Sequence, residues 1–212
     1  PCMDDDVLRR GKPTVHVKYG EAQALLVGDG LQALAFEYLT PLDGSTDLQV
    51  QALQVGLLAR AAGYQGMAGG QAIDLASVGL PLTEAQLRQM HRLKTGALLL
   101  CSVQLGAVSA GKPSTVVADA LSQFAQALGL AFQVVDDILD VTSDSATLGK
   151  TAGKDAAADK PTYVSLLGLV KAQQLAEQLH EESLAALNAS GLSATATAAL
   201  RALASQVVER KN

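Results

Sequence analysis

The chain is 212 residues long and 49% hydrophobic, which is ample for a sizeable core and excludes disorder as its main state. Its formal charge of -5 and pI near 5.1 argue against nucleic acid as a partner, so an anionic ligand must be held by a few placed cations. Aromatic residues make up only 3% and apolar residues recur with a period of about 3.6, so the chain is predicted to be all-α.

The N-terminal segment, residues 1–14, combines acidic and basic side chains before a proline ends any helix. Its charged residues are Asp4, Asp5, Asp6, Arg9, Arg10 and Lys12. Such a run is either a charged site or a solvated loop, and the segment alone favours neither. Because the chain starts at Pro1, inside this charged motif, we expect that a further segment precedes it.

Two helices are predicted next, one over residues 16–40 with an apolar stripe and one that Asp47 caps and that runs to about residue 63. A cluster of glycines follows at positions 66, 69 and 70. Glycines so close together allow backbones or ligands to approach, and Gln71 and Asp74 fall on one helix face at this point. Alone, this is a weak indication of a site.

A capping-box pattern, Thr83 to Gln86, predicts the start of the next helix. Lys94 is the last charged residue before the uncharged run 95–111, so it is predicted either to extend its ammonium to solvent or to bind a buried anion. His91 has no acid or cysteine at catalytic spacing, and we expect it at the solvent edge. The uncharged run is interrupted by polar residues and is predicted to be a core helix rather than a membrane span.

A helix that begins after Pro113 carries the most informative stretch, residues 128–140. Gln133, Asp136, Asp137 and Asp140 share one stripe, and apolar residues cover the rest of the circumference. Two carboxylates about 6 Å apart repel by roughly 3 kcal/mol at an effective dielectric of about 20, so the cluster needs a cation. Oxygen-only ligands indicate a hard ion such as Mg²⁺, which usually arrives with a phosphate-bearing substrate. The alternative is an acidic surface run.

Residues 148–162 form a glycine- and lysine-rich loop that includes Lys150. The loop lacks the GxxxxGK[ST] spacing of a P-loop, and we interpret it as a lid. Two more helices are predicted over residues 161–187 and 192–208. No internal repeat or long linker divides the chain, so residues 1–212 are predicted to be one domain.

Cys2 and Cys101 have no metal-ligand spacing, which favours a reducing, cytoplasmic location without disulfides.

Six stretches together resemble the trans-isoprenyl diphosphate synthases, most closely the bacterial farnesyl diphosphate synthases, in order and spacing over nearly the whole chain. They are MDDDVLRRGKPT at 3–14, GDGL at 28–31, GMAGGQAIDL at 66–75, HRLKTGAL at 91–98, FQVVDDILD at 132–140 and LGK at 148–150. The family's first aspartate-rich motif begins with an Asp-Asp pair that would lie before Pro1. Without that pair, the printed chain is expected not to turn over substrate.

The resemblance implies an isoprenoid synthase-type helical bundle around a central cavity, and a homodimer. It implies that the chain condenses isopentenyl diphosphate with an allylic diphosphate, dimethylallyl or geranyl diphosphate, to form farnesyl diphosphate. The implied ligands of Mg²⁺ are Asp4, Asp136 and Asp140. The implied substrate-binding and catalytic residues are Arg9, Arg10, Lys94, Thr95, Gln133 and Lys150, with the oxygens of Thr95 and Gln133 facing the reacting carbocation.

Three alternatives remain open. The first is a geranylgeranyl or longer-chain synthase. In the family, product length depends on bulky residues that would precede Pro1. A terpene cyclase is disfavoured because it usually carries a different motif in place of a second DDxxD. A noncatalytic subunit or fragment that only dimerises is favoured by the missing aspartate pair, but Arg9, Lys94, Gln133, Asp136 and Lys150 argue against it.

Overall fold

A computed structural model describes residues 1–143 and 160–210 of the chain, and these residues are mainly helical. After a two-stranded antiparallel hairpin, β1 (Leu8–Arg9) and β2 (Lys12–Pro13), the helices follow in chain order. They are α1 (Val15–Tyr19), α2 (Glu21–Leu39), α3 (Leu48–Ala62), α4 (Met67–Ala76), α5 (Glu84–His91), a π-helical turn (Arg92–Gly96), α6 (Ala97–Ser109), α7 (Thr115–Thr142), α8 (Tyr163–Leu167), α9 (Leu169–Ala189) and α10 (Ala194–Glu209). The prediction of an all-α fold is confirmed.

Side-chain caps start the helices where the sequence predicted them. The Asp47 carboxylate accepts hydrogen bonds from the first backbone N–H groups of α3, and Thr83 and Gln86 form a reciprocal capping box at α5. The hydroxyl of Ser114 caps α7. Each cap satisfies backbone donors that a helix start leaves unpaired, so these short polar residues determine where the helices begin.

Two predicted helices are each divided by a glycine, so their prediction as single helices is wrong. Gly20 has φ 95° and separates α1 from α2, and Gly168 has φ 82° and separates α8 from α9. These backbone conformations lie where L-residues are strained but glycine is not. Apolar residues recur with the same period on both sides of each glycine. The sequence pattern therefore did not reveal the two breaks.

Helix α7 is the core of the bundle. One face of its C-terminal half packs with α5, α8 and α9 around Val134 and Tyr163, and its N-terminal half packs with α9 and α10 around Phe124. Phe124, Val134 and Tyr163 are fully buried. Of the described helices, α7 alone is long and apolar enough to cross a membrane by length and composition, a test that a buried core helix also passes.

Helix α2 differs from the others because none of its residues is buried against the described part of the chain. Its large apolar side chains Leu25, Leu26, Leu31 and Tyr38 are all at least 60% exposed. The predicted apolar side chains are therefore present, but they lie on more than one side of α2, and no other described residue buries them. An apolar surface of this size usually marks an interaction site.

The glycines of α4 allow that helix to approach the π-helical turn closely. A Cβ added at Gly70 would lie 2.1 Å from the backbone nitrogen of Lys94, which is far inside van der Waals contact. A Cβ at Gly129 of α7 would lie 3.2 Å from the Cα of Gly96. The glycine-rich sequence therefore brings α4 and α7 against the segment that carries Lys94.

Replacing Gly70 by alanine should lower the free energy of unfolding by about 1–3 kcal/mol or more, because the new methyl group meets backbone that cannot rotate away. Gly106 is the control, since it lies in α6 with nothing within 4 Å of an added Cβ. Gly106→Ala should raise stability by about 0.5–1 kcal/mol. Urea denaturation of both variants measures the difference, and equal effects would contradict the close approach of α4.

Candidate active site

A buried ion pair joins α4 to the π-helical turn. Lys94 Nζ donates to Asp74 Oδ2 at 2.7 Å, and Lys160 Nζ lies 3.9 Å from the same oxygen. The Asp74 side chain is only 7% exposed, whereas that of Lys94 is 31% exposed. Lys94 therefore binds a buried carboxylate while part of its side chain remains exposed, and its ammonium has donors left for a second anion.

The π-helical turn Arg92–Gly96 places Lys94 and Thr95 side by side. Both side chains are half-buried, while Gly96 is buried where α7 crosses. Single π-helical turns are rare, and many of them occur at functional sites. The sequence predicted a helix here but contained no pattern that would distinguish a π-turn from an α-turn.

The aspartates of α7 have different environments although they belong to one predicted stripe. Asp137 and Asp140 are each 6% exposed, and the side chain of Asp136 is 34% exposed. Asp137 Oδ2 accepts the backbone N–H of Tyr163 at 2.7 Å, so it stabilises the start of α8. Asp136 is the most accessible of the three and the best placed to bind a ligand.

Arg210 is a site residue that sequence reasoning missed. Its Nη2 lies 3.5 Å from Asp136 Oδ1 and donates to the carbonyl oxygen of Phe132 at 2.9 Å. Its guanidinium lies 4.0 Å from the centre of the Phe132 ring. Burial lowers the pKa of Arg210, and Asp136 opposes that shift. Nothing local to Arg210 in the sequence indicated a contact 78 residues away.

The expectation that His91 lies at the solvent edge is wrong. His91 is 8% exposed, and its ring stacks on Tyr163 with 5.7 Å between centroids. Burial lowers the pKa of His91 to about 4, so the ring is neutral near neutral pH. The expectation rested on the absence of a catalytic partner at a suitable spacing, which does not determine burial, and Tyr163, which covers the ring, comes from a distant part of the chain.

Three further predicted residues lie in the N-terminal segment. Asp4, Arg9 and Arg10 are exposed in and before the β1–β2 hairpin, where Asp5 pairs with His16 at 3.0 Å. Lys150 lies outside the described residues.

Within residues 1–143 and 160–210, no three His, Cys, Asp or Glu side chains converge as a metal site. Mg²⁺ does not require such a group, since it takes one or two carboxylates together with waters and phosphates.

A cavity of about 740 Å³ lies between the π-helical turn, α6, α7 and α9. Its lining includes Arg92, Gly96, Ala127 and Leu130 but none of the predicted catalytic or metal-binding residues. The charged groups that carry chemistry therefore lie elsewhere. The candidate site is therefore the Lys94–Asp74 pair together with Gln133 and Asp136 of α7, the helix that packs against the π-helical turn, rather than this cavity.

Asp137 and Asp136 should differ in their effect on stability. Asp137→Ala leaves the buried N–H of Tyr163 without that acceptor and should lower the free energy of unfolding by about 1–3 kcal/mol. Asp136→Ala removes a partly exposed carboxylate and should cost less than about 1 kcal/mol. Chemical denaturation of both variants compares them, and an Asp136→Ala variant that is the less stable of the two would refute this division of roles.

The comparisons with known proteins agree with the resemblance. The polyprenyl synthetase family model matches residues 2–199. The farnesyl diphosphate synthase of Escherichia coli is 46% identical over 99% of this chain and 71% of its own length. The probable farnesyl diphosphate synthase of Sinorhizobium fredii is 53% identical over 84% of the chain, and the match covers 54% of that protein.

A large subunit of a heterodimeric geranylgeranyl pyrophosphate synthase from Arabidopsis thaliana is 45% identical over 100% of the chain, which covers 58% of it. The geranyltransferase of Helicobacter pylori, solved with magnesium and isoprenyl diphosphate, superposes with a TM-score of 0.84 at 36% identity, over 98% of this chain and 66% of that one. The chain thus spans between about half and three quarters of the length of these relatives. It belongs to the polyprenyl synthetase family.

Proposed function

We propose that the protein is an Mg²⁺-dependent prenyltransferase that condenses isopentenyl diphosphate with an allylic diphosphate to give farnesyl diphosphate. The observation that carries this proposal is the Lys94–Asp74 pair at 2.7 Å, which joins α4 to the π-helical turn. An ammonium that is held by a buried carboxylate, on a partly exposed side chain, is suited to binding a diphosphate. The identity to farnesyl diphosphate synthases supports this choice of reaction.

The donor set fits Mg²⁺. Asp136 offers oxygen ligands, is partly accessible, and already attracts the guanidinium of Arg210 at 3.5 Å. We propose Asp4, Asp136 and Asp140 as the residues that hold the metal, together with the substrate's phosphate oxygens. When bound, Mg²⁺ supplies charge neutralisation for the departing diphosphate.

The cationic side chains have separate tasks in this scheme. Arg9, Lys94 and Lys150 bind the allylic diphosphate, and Arg10 binds that of isopentenyl diphosphate. These cations stabilise charge that grows on the leaving group as its bond to the allylic carbon breaks. Because Lys94 is fixed by Asp74, it needs no reorganisation when that charge develops.

Thr95 and Gln133 are proposed to face the allylic carbocation that this ionisation leaves. Their oxygens are dipoles that stabilise positive charge without the reactivity of a carboxylate. The double bond of isopentenyl diphosphate then adds to the cation, and the adduct loses a proton to the departing diphosphate. Water must be excluded, because it would quench the cation, and both side chains are accordingly half-buried.

A geranylgeranyl or longer product is the alternative within this chemistry, supported by the identity to a geranylgeranyl pyrophosphate synthase subunit. A noncatalytic, dimerising role is the alternative of another class. The exposed apolar side chains of α2, which no other described residue buries, favour association for either role, and we propose a homodimer. We also propose a cytoplasmic location, in keeping with two free cysteines and with the core position of α7.

The metal role of Asp136 is tested with Asp136→Asn in the whole protein that contains this chain. The amide keeps the shape but loses the charge, so turnover of geranyl diphosphate and isopentenyl diphosphate should fall by about a hundredfold or more. Asp119→Asn is the matched control, an exposed aspartate on the same helix, and should leave turnover unchanged. The assay follows labelled isopentenyl diphosphate into prenyl products, and EDTA should abolish the product.

Near-normal turnover by the Asp136→Asn variant would show that Asp136 is not a ligand of the metal. A whole wild-type protein without any turnover would instead favour the noncatalytic role. Chain-length analysis of the product separates a farnesyl synthase from a geranylgeranyl synthase.

The homodimer is tested by light scattering at micromolar protein. We expect a mass about twice the chain's 21.8 kDa for the printed chain. Leu26→Glu places a charge on the apolar face of α2 and should give the monomer mass, because an unpaired charge is costly at an apolar interface. Val170→Glu is the control, a 67% exposed residue on α9. A monomeric wild-type chain, or a dimer unaffected by Leu26→Glu, would contradict the role of α2.

A further inference from the structure

The last described residue, Arg210, brings a guanidinium from the end of α10 to the part of α7 that carries Asp136. Its Nη2 donates to the carbonyl oxygen of Phe132 at 2.9 Å, and its guanidinium carbon lies 4.0 Å from the centre of the Phe132 ring. The same Nη2 lies 3.5 Å from Asp136 Oδ1. Because two of these contacts are with Phe132, the guanidinium is held by more than its attraction to the carboxylate.

The packing of α10 determines where Arg210 reaches α7. Val207, which precedes Arg210 by one helical turn, is buried in the apolar cluster that Phe132 also packs against. Arg210 follows the last residue of α10 and has an extended backbone. Its side chain is 16% exposed, whereas that of Asp136 is 34% exposed. The arginine is therefore largely shielded from water, and the carboxylate is the more accessible partner of the pair.

One donor of this guanidinium has no acceptor. Arg210 Nε is buried, and among the residues that the structure describes it has no hydrogen-bond partner. An unpaired buried donor is unusual in a folded protein, because it has lost its hydrogen bonds to water without replacement. The guanidinium thus contacts Asp136 and Phe132 and still has a donor for a further acceptor, such as a phosphate oxygen.

The pairing of Arg210 with Asp136 affects how a metal ion can bind to that carboxylate. A divalent cation on Asp136 is close to a guanidinium that lies 3.5 Å from the same side chain, and the two positive charges repel. A diphosphate carries several negative charges and offsets this repulsion when it contacts both cations. Metal and diphosphate should therefore each bind more tightly in the presence of the other.

We propose that Arg210 is a positioning residue, which pairs with the Asp136 carboxylate and so makes metal binding there depend on diphosphate. This inference rests on the proposed metal role of Asp136. When metal binds alone, the guanidinium loses the carboxylate and gains no new acceptor. When diphosphate binds as well, its oxygens can accept from the arginine, which the contacts with Phe132 keep next to Asp136.

The alternative is a purely structural role, in which Arg210 only fastens the end of α10 to α7. Loss of its charge would then lower stability and weaken the binding of metal and diphosphate together, if it affects them at all. The proposed role instead predicts opposite changes in the two affinities. The two roles are therefore separated by binding measurements that need no turnover.

The test uses isothermal titration calorimetry on the whole protein that contains this chain, with Arg210→Gln compared to wild type. Glutamine removes the charge but can still donate an amide N–H to the Phe132 carbonyl. We expect Mn²⁺ alone to bind at least about fivefold more tightly to the variant, because the competing cation is gone. Inorganic diphosphate added to the Mn²⁺-saturated variant should bind at least about fivefold more weakly than to wild type. Arg210→Lys, which keeps the charge, should remain closer to wild type in both titrations.

Arg201→Gln is the matched control, because it removes the same charge from α10 while the guanidinium of Arg201 binds Thr197 and Asn188 instead. It should change neither dissociation constant by more than about twofold. In an Asp136→Asn background, Arg210→Gln should no longer tighten Mn²⁺ binding, since the carboxylate for which the two cations compete is absent.

Unchanged or weaker Mn²⁺ binding by Arg210→Gln would overturn the proposal, as would a gain in affinity that persists in the Asp136→Asn background. Unchanged Mn²⁺ binding by Asp136→Asn alone would overturn both the metal role of Asp136 and this inference. If wild-type protein shows no prenyl transfer while the two opposite changes are observed, the proposed function fails and the inference stands.

Discussion

The Lys94–Asp74 ion pair is the interaction on which the candidate site depends. It is possible only because Gly70 lets α4 approach the backbone of Lys94, and because α7 leaves space for Gly96 beside Gly129. A buried carboxylate is costly unless it is paired, so Asp74 constrains Lys94 strongly. The ion pair consequently holds the lysine on the π-helical turn, with part of its side chain exposed.

The aspartates of helix α7 have different environments, which fit one for a structural task and leave another for the proposed chemical one. Asp137 is committed to the start of α8, whereas Asp136 is accessible and faces the guanidinium of Arg210. A cation near Asp136 reduces the repulsion among the carboxylates that the sequence predicted.

Much of this arrangement could be predicted from the sequence. The helix starts at Asp47, Thr83 and Ser114 could be predicted because these side chains can accept hydrogen bonds from backbone N–H groups of the first turn. The all-α class could be predicted because apolar residues recur with a period of about 3.6. The breaks at Gly20 and Gly168 could not be predicted, because glycine is compatible with either a continuous helix or a positive φ. The burial of His91 and the contact of Arg210 depend on packing between distant segments, which no local pattern encodes.

The most direct test of the account is a crystal structure of the whole protein with Mn²⁺ and inorganic diphosphate, using anomalous scattering to locate the metal. We expect a metal peak at the Asp136 carboxylate, bridged by a diphosphate oxygen, and a second diphosphate oxygen within hydrogen-bonding distance of Lys94 Nζ. Ordered diphosphate with the metal away from α7, or bound without contact to Lys94, would contradict the account.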